Sequence, residues 1–252
     1  MTSAFANTSA GVVARVSTIP RRRWSNVREE EYRLADWVRV SSRWAQESFF
    51  RCGLPPGSVR IVPQVFNTER FSPPPAERVH EGPLRVCYAG IVSLAKGFPY
   101  LLDALTKFGR GHIALEIAGS TGTRPARTLF DRLRQGLRVT MQPQDPVPVY
   151  HRAELLVFPS LHDGFGFVVA EAMACGLPVI VTSSAGAADW VTPECGWIVP
   201  PADSDSLTAA LTDAMARRTE LAEMGQRARA AVFSQVAQRS SSLPFFAGSF
   251  SR

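Results

Sequence analysis

The sequence predicts an α/β fold: a doubly wound, Rossmann-like parallel sheet over about residues 84–235, plus a partial N-terminal segment. Two observations support this prediction. Short, continuously apolar runs alternate with helical patterns over these positions, and several of the runs end at a glycine. Strands that are apolar throughout are covered on both faces, and a helix after each strand is the connection that parallel strands need.

The predicted elements of this sheet follow one another in regular order. The predicted strands are 84–91, 113–118, 138–142, 155–159, 178–182 and 197–199. The predicted helices are 97–108, 126–135, 147–152, 167–174, 206–217 and 220–232, the fifth with Asp203 or Asp205 as its N-cap. Ligands of such folds lie beyond the carboxyl ends of the strands, so we expect the site in the segments that follow Ala89, Ala118, Phe158 and Val181.

The remainder of the chain divides into a less regular first part and two tails. Residues 1–26 show no periodicity and predict a disordered tail, and residues 236–252 predict an irregular one. Within 27–83, the patterns predict a strand at 37–40, a helix that Ser42 caps and that runs to Cys52, and a strand at 60–63. The proline-rich segment 72–83 predicts a linker and therefore a domain boundary.

The composition indicates an ordinary globular protein. The chain has 252 residues, of which 45% are hydrophobic and 20% charged. No apolar run approaches the roughly 18 residues that a membrane-spanning helix needs. The N-terminus lacks the basic and apolar regions of a secretory signal, so we expect a cytoplasmic protein.

The cysteines, histidines and net charge exclude several kinds of site. Cys52, Cys87, Cys175 and Cys195 are far apart in sequence, and the four histidines have no metal-ligand spacing. We therefore expect reduced thiols, no metal and no cofactor. The net charge of +6 comes without the interleaved aromatic residues of a nucleic-acid surface, so no nucleic-acid partner is predicted. Such a charge favours at most peripheral contact with an anionic membrane face.

Two strand-end segments carry candidate binding residues. Gly90 ends the first strand and Lys96 precedes the next helix, where its ammonium group can neutralise a diphosphate. The segment after Phe158 places Asp163 in a glycine-containing loop and Glu171 eight residues later on a helix. The helical neighbours of Glu171 are nearly all apolar, and a carboxylate in such surroundings should have a partner or a ligand.

The loop between these two carboxylates is also suited to an oxygen-rich ligand. Gly164 and Gly166 leave backbone N–H groups accessible at a helix N-terminus, which favours phosphate or sugar oxygens. A carboxylate can accept hydrogen bonds from two vicinal hydroxyls, so ribose and hexose are natural ligands for the pair Asp163 and Glu171.

At this point the sequence resembles the family 4 retaining glycosyltransferases, also called glycosyl transferases group 1, which have two Rossmann-like domains in the GT-B arrangement. The segment DGFGFVVAEAMACGLPVIVT is similar to the E-x7-E signature of that family, with Asp163 in place of the first glutamate. The resemblance includes AGIVSLAKGFPYLLDAL, the strand-end Gly119, SSAGAADWV and GWIVPPADSDSLTAAL, and it spans about residues 29–233.

The resemblance implies that this chain holds a nucleoside diphosphate sugar in the C-terminal, donor-binding domain of the family. Glu171 would bind the ribose hydroxyls, and Gly90 and Gly119 would lie along the donor. Asp163 and the backbone of Gly164, Phe165 and Gly166 would hold the transferred sugar. Lys96 would face the diphosphate and stabilise charge as it leaves. The family usually works without metal, and retention at the anomeric carbon would follow.

Two departures from the family pattern matter. Ile91 and Ala95 occupy the places where the family usually has a basic residue, which removes one phosphate contact. Residues 27–71 are too few for the acceptor-binding domain of the family, so we expect that domain to be largely missing. The acceptor, a sugar or a lipid-linked molecule, would then need a further chain that supplies the missing domain.

The sequence leaves several hypotheses about function open. The leading one is a hexosyltransferase that works in a truncated or split form. The second is a non-catalytic nucleotide-sugar-binding or assembly module. The third is a degenerate remnant that folds poorly, because Trp37, Trp44 and Phe49 would lack a full sheet to cover them. A sugar-nucleotide epimerase on the same architecture is a further alternative, because fold alone does not decide activity.

Overall fold

The structure, a computed structural model of the chain, describes residues 31–32, 34–62, 66–75, 81–109, 111–122, 127–128, 130–131, 137–142 and 145–241. The predictions for 1–26 and for most of the helix at 126–135 lie outside these residues. The chain forms two compact units, residues 1–38 and 39–252. In the first unit, residues 31–32 and 34 are helical and the Leu34 side chain is exposed.

The first elements agree with the sequence prediction. Strand β1 is Val38–Val40, helix α1 is Arg43–Arg51 and strand β2 is Val59–Ile61. The Ser42 hydroxyl caps α1 by accepting the N–H of Ala45 at 3.1 Å. Strands β1 and β2 form a two-stranded sheet.

The division between the two units falls at Val38 and not within the proline-rich segment 72–83. Residues 39–71 belong to the same unit as the main sheet because some of their side chains pack into it. Phe71, for example, is buried in the core beside Tyr150. The prolines that follow Phe71 in sequence give no indication that its side chain packs into the core.

The main sheet has the predicted strands. They are β3 (Leu84–Ala89), β4 (Ile113–Ala118), β5 (Arg138–Gln142), β6 (Leu155–Phe158), β7 (Val179–Thr182) and β8 (Gly196–Val199). Among the described residues the order is β5-β4-β3-β6-β7-β8, and every neighbouring pair is parallel. Counted within the sheet this is 3-2-1-4-5-6, the strand order of the Rossmann fold.

Helices cover both faces of the sheet. They are α2 (Phe98–Thr106), α3 (Val147–Arg152), α4 (Phe167–Ala174), α5 (Ser204–Ala216) and α6 (Leu221–Ser241). Successive strand residues alternate between the faces: Val86 packs with α2 and α5, whereas Cys87 packs with α3 and α4. The doubly wound α/β fold is therefore confirmed.

The sequence predicted the start of α5 well but not the end of α6. Asp203 caps α5, as expected, because its Oδ1 accepts the N–H groups of Asp205 and Ser206. Helix α6 ends at Ser241, so the predicted end at Val232 and the irregular tail at 236–241 are wrong. Residues 233–241 contain no glycine or proline, so nothing local stops the helix.

A buried ion pair joins the amino-terminal side of the sheet to the end of α5. Glu154, just before β6, is 2% exposed. Its carboxylate accepts two hydrogen bonds from the guanidinium of Arg218, both at 2.8 Å, and the N–H of Arg85 at 3.0 Å. Arg218 also donates to the carbonyl of Gly82 at 2.7 Å, so one arginine ties the chain before β3 to the chain before β6.

Candidate functional site

The candidate site lies at the centre of the sheet. From β3 the chain first moves to β4 and β5 on one side and then returns to β6 on the other side of β3. Such a switch of direction opens a crevice beyond the carboxyl ends of the two central strands. The loops after β3 and β6 meet there, since the Leu161 N–H donates to the Ala95 carbonyl at 3.0 Å.

Lys96 and Asp163 form an ion pair in this crevice. The Lys96 Nζ lies 2.6 Å from Asp163 Oδ2 and 5.8 Å from the centre of the Phe158 ring. The side chains are 35% and 19% exposed, respectively, so both remain accessible from solvent. The structure thus brings together two residues that are 67 positions apart in sequence.

The main chain around Asp163 is fixed on both sides. The Asp163 N–H donates to the carbonyl of Ser184, and its own carbonyl accepts the N–H of Gly186, both at 3.0 Å. The carboxylate Oδ1 accepts the N–H of Phe165 at 3.1 Å, which closes a local turn. The carboxylate is therefore held by its own loop at one oxygen and by Lys96 at the other.

The start of α4 offers donors to a ligand. Gly166, with φ of +87°, precedes the helix and has no side chain to cap it. Among the described residues, no acceptor is found for the N–H groups of Gly164, Gly166 and Phe167. Unbonded N–H groups at a helix N-terminus favour anionic or oxygen ligands.

Other atoms of the same loop are already bonded. The Gly164 carbonyl accepts the hydroxyls of Ser41 at 3.0 Å and of Ser42 at 2.6 Å. The Phe165 carbonyl accepts the Ala187 N–H at 2.6 Å, and its ring packs edge-on against Trp190 with centroids 4.8 Å apart. Of the predicted loop residues, Gly164 and Gly166 thus keep N–H groups for a ligand, whereas Phe165 anchors the loop.

Gly90 and Gly119 contact each other at the ends of β3 and β4. A Cβ on Gly119 would lie 1.9 Å from the Gly90 carbonyl oxygen, so a side chain is excluded there by main chain. Gly90 itself has φ of +131°, which side-chain-bearing residues rarely adopt. The two glycines let adjacent strand ends approach closely, and direct donor contact by either stays a prediction.

We expect Gly119→Ala to lower the free energy of unfolding by about 1–3 kcal/mol, because the added methyl would overpack against main chain that cannot rotate away. Gly164→Ala is the matched control, since its Cβ would meet only the Ser41 hydroxyl, at 3.6 Å. Urea unfolding of both variants measures the difference. Equal stability of the two would contradict the close approach of Gly90 and Gly119.

Glu171 projects from α4 beside Tyr150 of α3. The Tyr150 hydroxyl lies 3.3 Å from Glu171 Oε2. Burial raises the pKa of Glu171 above its usual value, while the Tyr150 hydrogen bond and the charge of Arg70 lower it and Asp145 raises it. Glu171 is therefore not a solvated surface glutamate, in agreement with the sequence argument.

Arg70 and Asp145 form an ion pair near Glu171, with 2.9 Å between Arg70 Nη2 and Asp145 Oδ1. Both of these charges act on Glu171. Glu171 contacts the Tyr150 hydroxyl, whereas Lys96 and Asp163 contact each other, so the site has two separate sets of contacts. This separation fits a ligand with one part at each position.

Sequence reasoning missed five residues of this region, which are Ser41, Ser42, Arg70, Asp145 and Tyr150. Ser42 had been predicted only as a helix cap, and no local signal shows that its hydroxyl also reaches Gly164. Arg70 and Asp145 are separated by 75 positions, so only the fold pairs them. Tyr150 stood in a predicted helix, where an aromatic side chain indicates core packing and nothing more.

Among the described residues, no group of three or more histidine, cysteine or acidic side chains could hold a metal ion. The four cysteines are not in disulfides, and Cys52 alone is exposed. Within the same residues, no helix is long and apolar enough to cross a membrane.

This Rossmann-ordered sheet has an ion pair and an open helix N-terminus at its switch point, which is where open α/β sheets generally bind their ligands. Residues 83–217 match the family Glycosyl transferases group 1, and this chain belongs to that family.

Curated relatives agree with this assignment. The chain is 28% identical over 221 residues to GDP-mannose-dependent alpha-(1-6)-phosphatidylinositol monomannoside mannosyltransferase of Mycolicibacterium smegmatis, covering 77% of this chain and 57% of that protein. It is also 28% identical over 225 residues to MMP alpha-(1->4)-mannosyltransferase of Mycolicibacterium hassiacum, covering 82% and 53%. The chain thus spans a little over half the length of these two relatives.

Solved structures share the fold. Sucrose-phosphate synthase from Thermosynechococcus elongatus matches with a TM-score of 0.72 and 28% identity, covering 86% of this chain and 59% of that one. Anabaena Alr3699/HepE in complex with UDP-glucose matches with a TM-score of 0.71 and 19% identity, covering 87% and 67%. At 19% identity the second likeness concerns the fold alone.

Proposed function

We propose that this chain is the donor-binding part of a glycosyltransferase that moves a hexose from a nucleoside diphosphate sugar to an acceptor. The observation that carries the proposal is the Lys96–Asp163 ion pair at the switch point, beside the unbonded N–H groups at the start of α4. An ammonium group and N–H donors suit a diphosphate, and a carboxylate suits sugar hydroxyls.

The two parts of the site divide the donor between them. Glu171 accepts hydrogen bonds from the ribose hydroxyls, and Lys96 contacts the diphosphate. Asp163 accepts hydroxyls of the hexose, and the N–H groups of Gly164 and Gly166 donate to its oxygens. Gly90 allows the main chain of the β3 loop to approach the phosphates, because no Cβ stands there.

In the proposed reaction, the bond between the anomeric carbon and the diphosphate oxygen breaks. Its electron pair stays on the diphosphate, where Lys96 and the N–H groups stabilise the developing charge without a metal. The acceptor hydroxyl oxygen forms the new bond to the anomeric carbon and loses its proton to the departing diphosphate. Retention of configuration is proposed from the resemblance to the retaining family.

The names of the relatives suggest the donor and acceptor classes. The mycobacterial relative uses GDP-mannose and a phosphatidylinositol mannoside by name, and the Anabaena protein was solved with UDP-glucose. We therefore propose GDP-mannose and UDP-glucose as the first donors to test, with a sugar or lipid-linked acceptor. A further chain that supplies an acceptor domain and a cytoplasmic location with peripheral membrane contact remain part of the proposal.

Titration calorimetry with UDP, GDP, ADP and their hexose conjugates tests the proposal. We expect one nucleoside diphosphate to bind and Glu171→Ala to abolish that binding, because the variant loses the acceptor of the ribose hydroxyls. Glu116→Ala is the matched control, since Glu116 is also a half-buried glutamate, although its carboxylate pairs with Arg152. Absence of binding by the folded wild-type chain would overturn the proposal. Donor binding without transfer to any acceptor would favour a non-catalytic nucleotide-sugar-binding module.

The same titration has an expected pH dependence. Burial raises the pKa of Glu171 above the usual 4.5, so the carboxyl is protonated at pH values where an ordinary glutamate is ionised. Ribose hydroxyls bind the ionised form, so affinity should fall as the pH drops through this raised pKa. In Glu171→Gln, whose side chain does not ionise and which should still bind weakly, this dependence should disappear.

A further inference from the structure

Tyr150 is a fully buried phenol that the proposed reaction does not use. It lies on α3, where its ring packs against Phe71 with centroids 6.4 Å apart. Its main chain is fixed by a hydrogen bond from its N–H to the Pro146 carbonyl at 2.9 Å. Burial and the contact with Phe71 restrict the phenol, and its hydroxyl contacts two groups of α4.

The Tyr150 hydroxyl acts as a hydrogen-bond donor. Burial and the neighbouring Glu171 raise the pKa of Tyr150 well above its usual value, so the proton stays on the oxygen. Two acceptors lie within reach: Glu171 Oε2 at 3.3 Å and the Val168 carbonyl at 3.4 Å. Both are on α4, three residues apart, on the same face of the helix.

We propose that Tyr150 is a positioning residue that fixes the Glu171 carboxylate so that its second oxygen meets the ribose diol of the donor. The inference rests on the proposed function. A carboxylate at the end of a glutamate side chain rotates about its last torsion, which has a broad minimum. A donor held rigidly at one oxygen orients the carboxylate plane and leaves the other oxygen to accept hydroxyls.

The charged groups that act on Glu171 cannot fix the orientation of its carboxylate. Arg70 and Asp145 are half exposed and paired with each other, so their opposite charges act on Glu171 from the solvent side without fixing its orientation. Within the part of the chain that the structure describes, Tyr150 is the buried group whose hydroxyl contacts a Glu171 oxygen. Its loss should therefore change how Glu171 recognises ribose more than whether the chain folds.

The inference is tested by comparing ribonucleoside with 2′,3′-dideoxyribonucleoside diphosphates of the base that binds. We expect wild-type affinity to be about 10–100-fold higher for the ribonucleotide, as for hydrogen bonds to a charged group. Tyr150→Phe keeps the ring and its packing but removes the donor. It should reduce this ratio to a few-fold, chiefly by weakening the ribonucleotide, as should Glu171→Gln.

Tyr88→Phe is the matched control. Tyr88 is also a buried phenol, but its hydroxyl donates to the Ile91 carbonyl at 2.8 Å. This variant should keep the wild-type ratio, and p-aminophenylalanine at position 150, which restores a donor, should recover it. Thermal unfolding confirms that each variant is folded.

Three outcomes would count against these ideas in different ways. A wild-type ratio in folded Tyr150→Phe would overturn the inference and leave the proposed function standing. A reduced ratio that p-aminophenylalanine does not recover would mean that Tyr150 acts through packing, which also overturns it. Failure of the wild-type chain to bind any nucleoside diphosphate would overturn the proposed function together with the inference.

Discussion

Replacement of Glu154 by alanine is expected to lower the free energy of unfolding by about 3–5 kcal/mol. Its carboxylate is buried and receives two hydrogen bonds from Arg218 and one from the Arg85 main chain. The variant leaves the guanidinium of Arg218, whose side chain is 24% exposed, without its counter-charge, and it leaves a cavity at the start of β6. Chemical denaturation with the wild-type chain as reference measures the change.

Two further variants separate the buried pair from ordinary charge removal. Glu220→Ala breaks the exposed pair with Arg217 and should cost less than about 1 kcal/mol. Arg218→Ala should destabilise the fold about as much as Glu154→Ala. The double variant should cost clearly less than the sum, since the partners act as a unit. A loss of under 1 kcal/mol in Glu154→Ala would contradict the role assigned to this pair.

Replacement of Lys96 by alanine should weaken binding of the nucleoside diphosphate by about 10–100-fold, because hydrogen bonds to charged groups contribute about 1.5–3 kcal/mol. The variant loses the ammonium group and also leaves Asp163 as an unbalanced negative charge beside the phosphates. Binding of the nucleoside monophosphate should change less, because it lacks one of the two phosphates that Lys96 can contact. Calorimetry with both nucleotides measures the difference.

Lys107→Ala is the matched control for Lys96. Its Nζ also lies 2.6 Å from a carboxylate, that of Asp205, and its exposure is similar at 38%. It should leave nucleotide binding unchanged. Asp163→Asn gives the complementary result, since it frees Lys96: the nucleoside diphosphate should bind at least as well, while the hexose contribution is lost. Equal effects of Lys96→Ala and Lys107→Ala would rule out the assigned phosphate contact.

Much of the fold could be predicted because its signals are local. The bounds of β4, β5, α3 and α4 are those that the sequence predicted. Apolar periodicity marks these elements, which in β5 is an alternation of polar and apolar residues, and prolines or glycines stand near their ends. The predicted end of α6 was wrong. A helix ends at a breaking residue or where its packing partner ends, and no breaking residue stands near Val232. The second compact unit includes the residues from Arg39 to Phe71 because contacts such as that of Phe71 with Tyr150 join residues that are far apart in sequence.

The candidate site shows the same distinction. Asp163, Glu171 and Lys96 could be selected because a carboxylate in an apolar helix and a lysine after a strand-end glycine are unusual in sequence. Their partners could not, because Tyr150, Arg70 and Ser42 reach the site only through the packing of elements that are 21 to 122 positions apart.

The sequence by itself thus determined the alternation of strands and helices, and with it a sheet whose ligand is expected at the carboxyl ends of the strands. It also determined the residue types that stand at those ends. Only the tertiary structure decided that Lys96 pairs with Asp163 and that Glu171 has a buried donor beside it. The physical reason is range: hydrophobic periodicity acts between neighbours in sequence, whereas charge and hydrogen-bond partners are chosen by proximity in the folded chain.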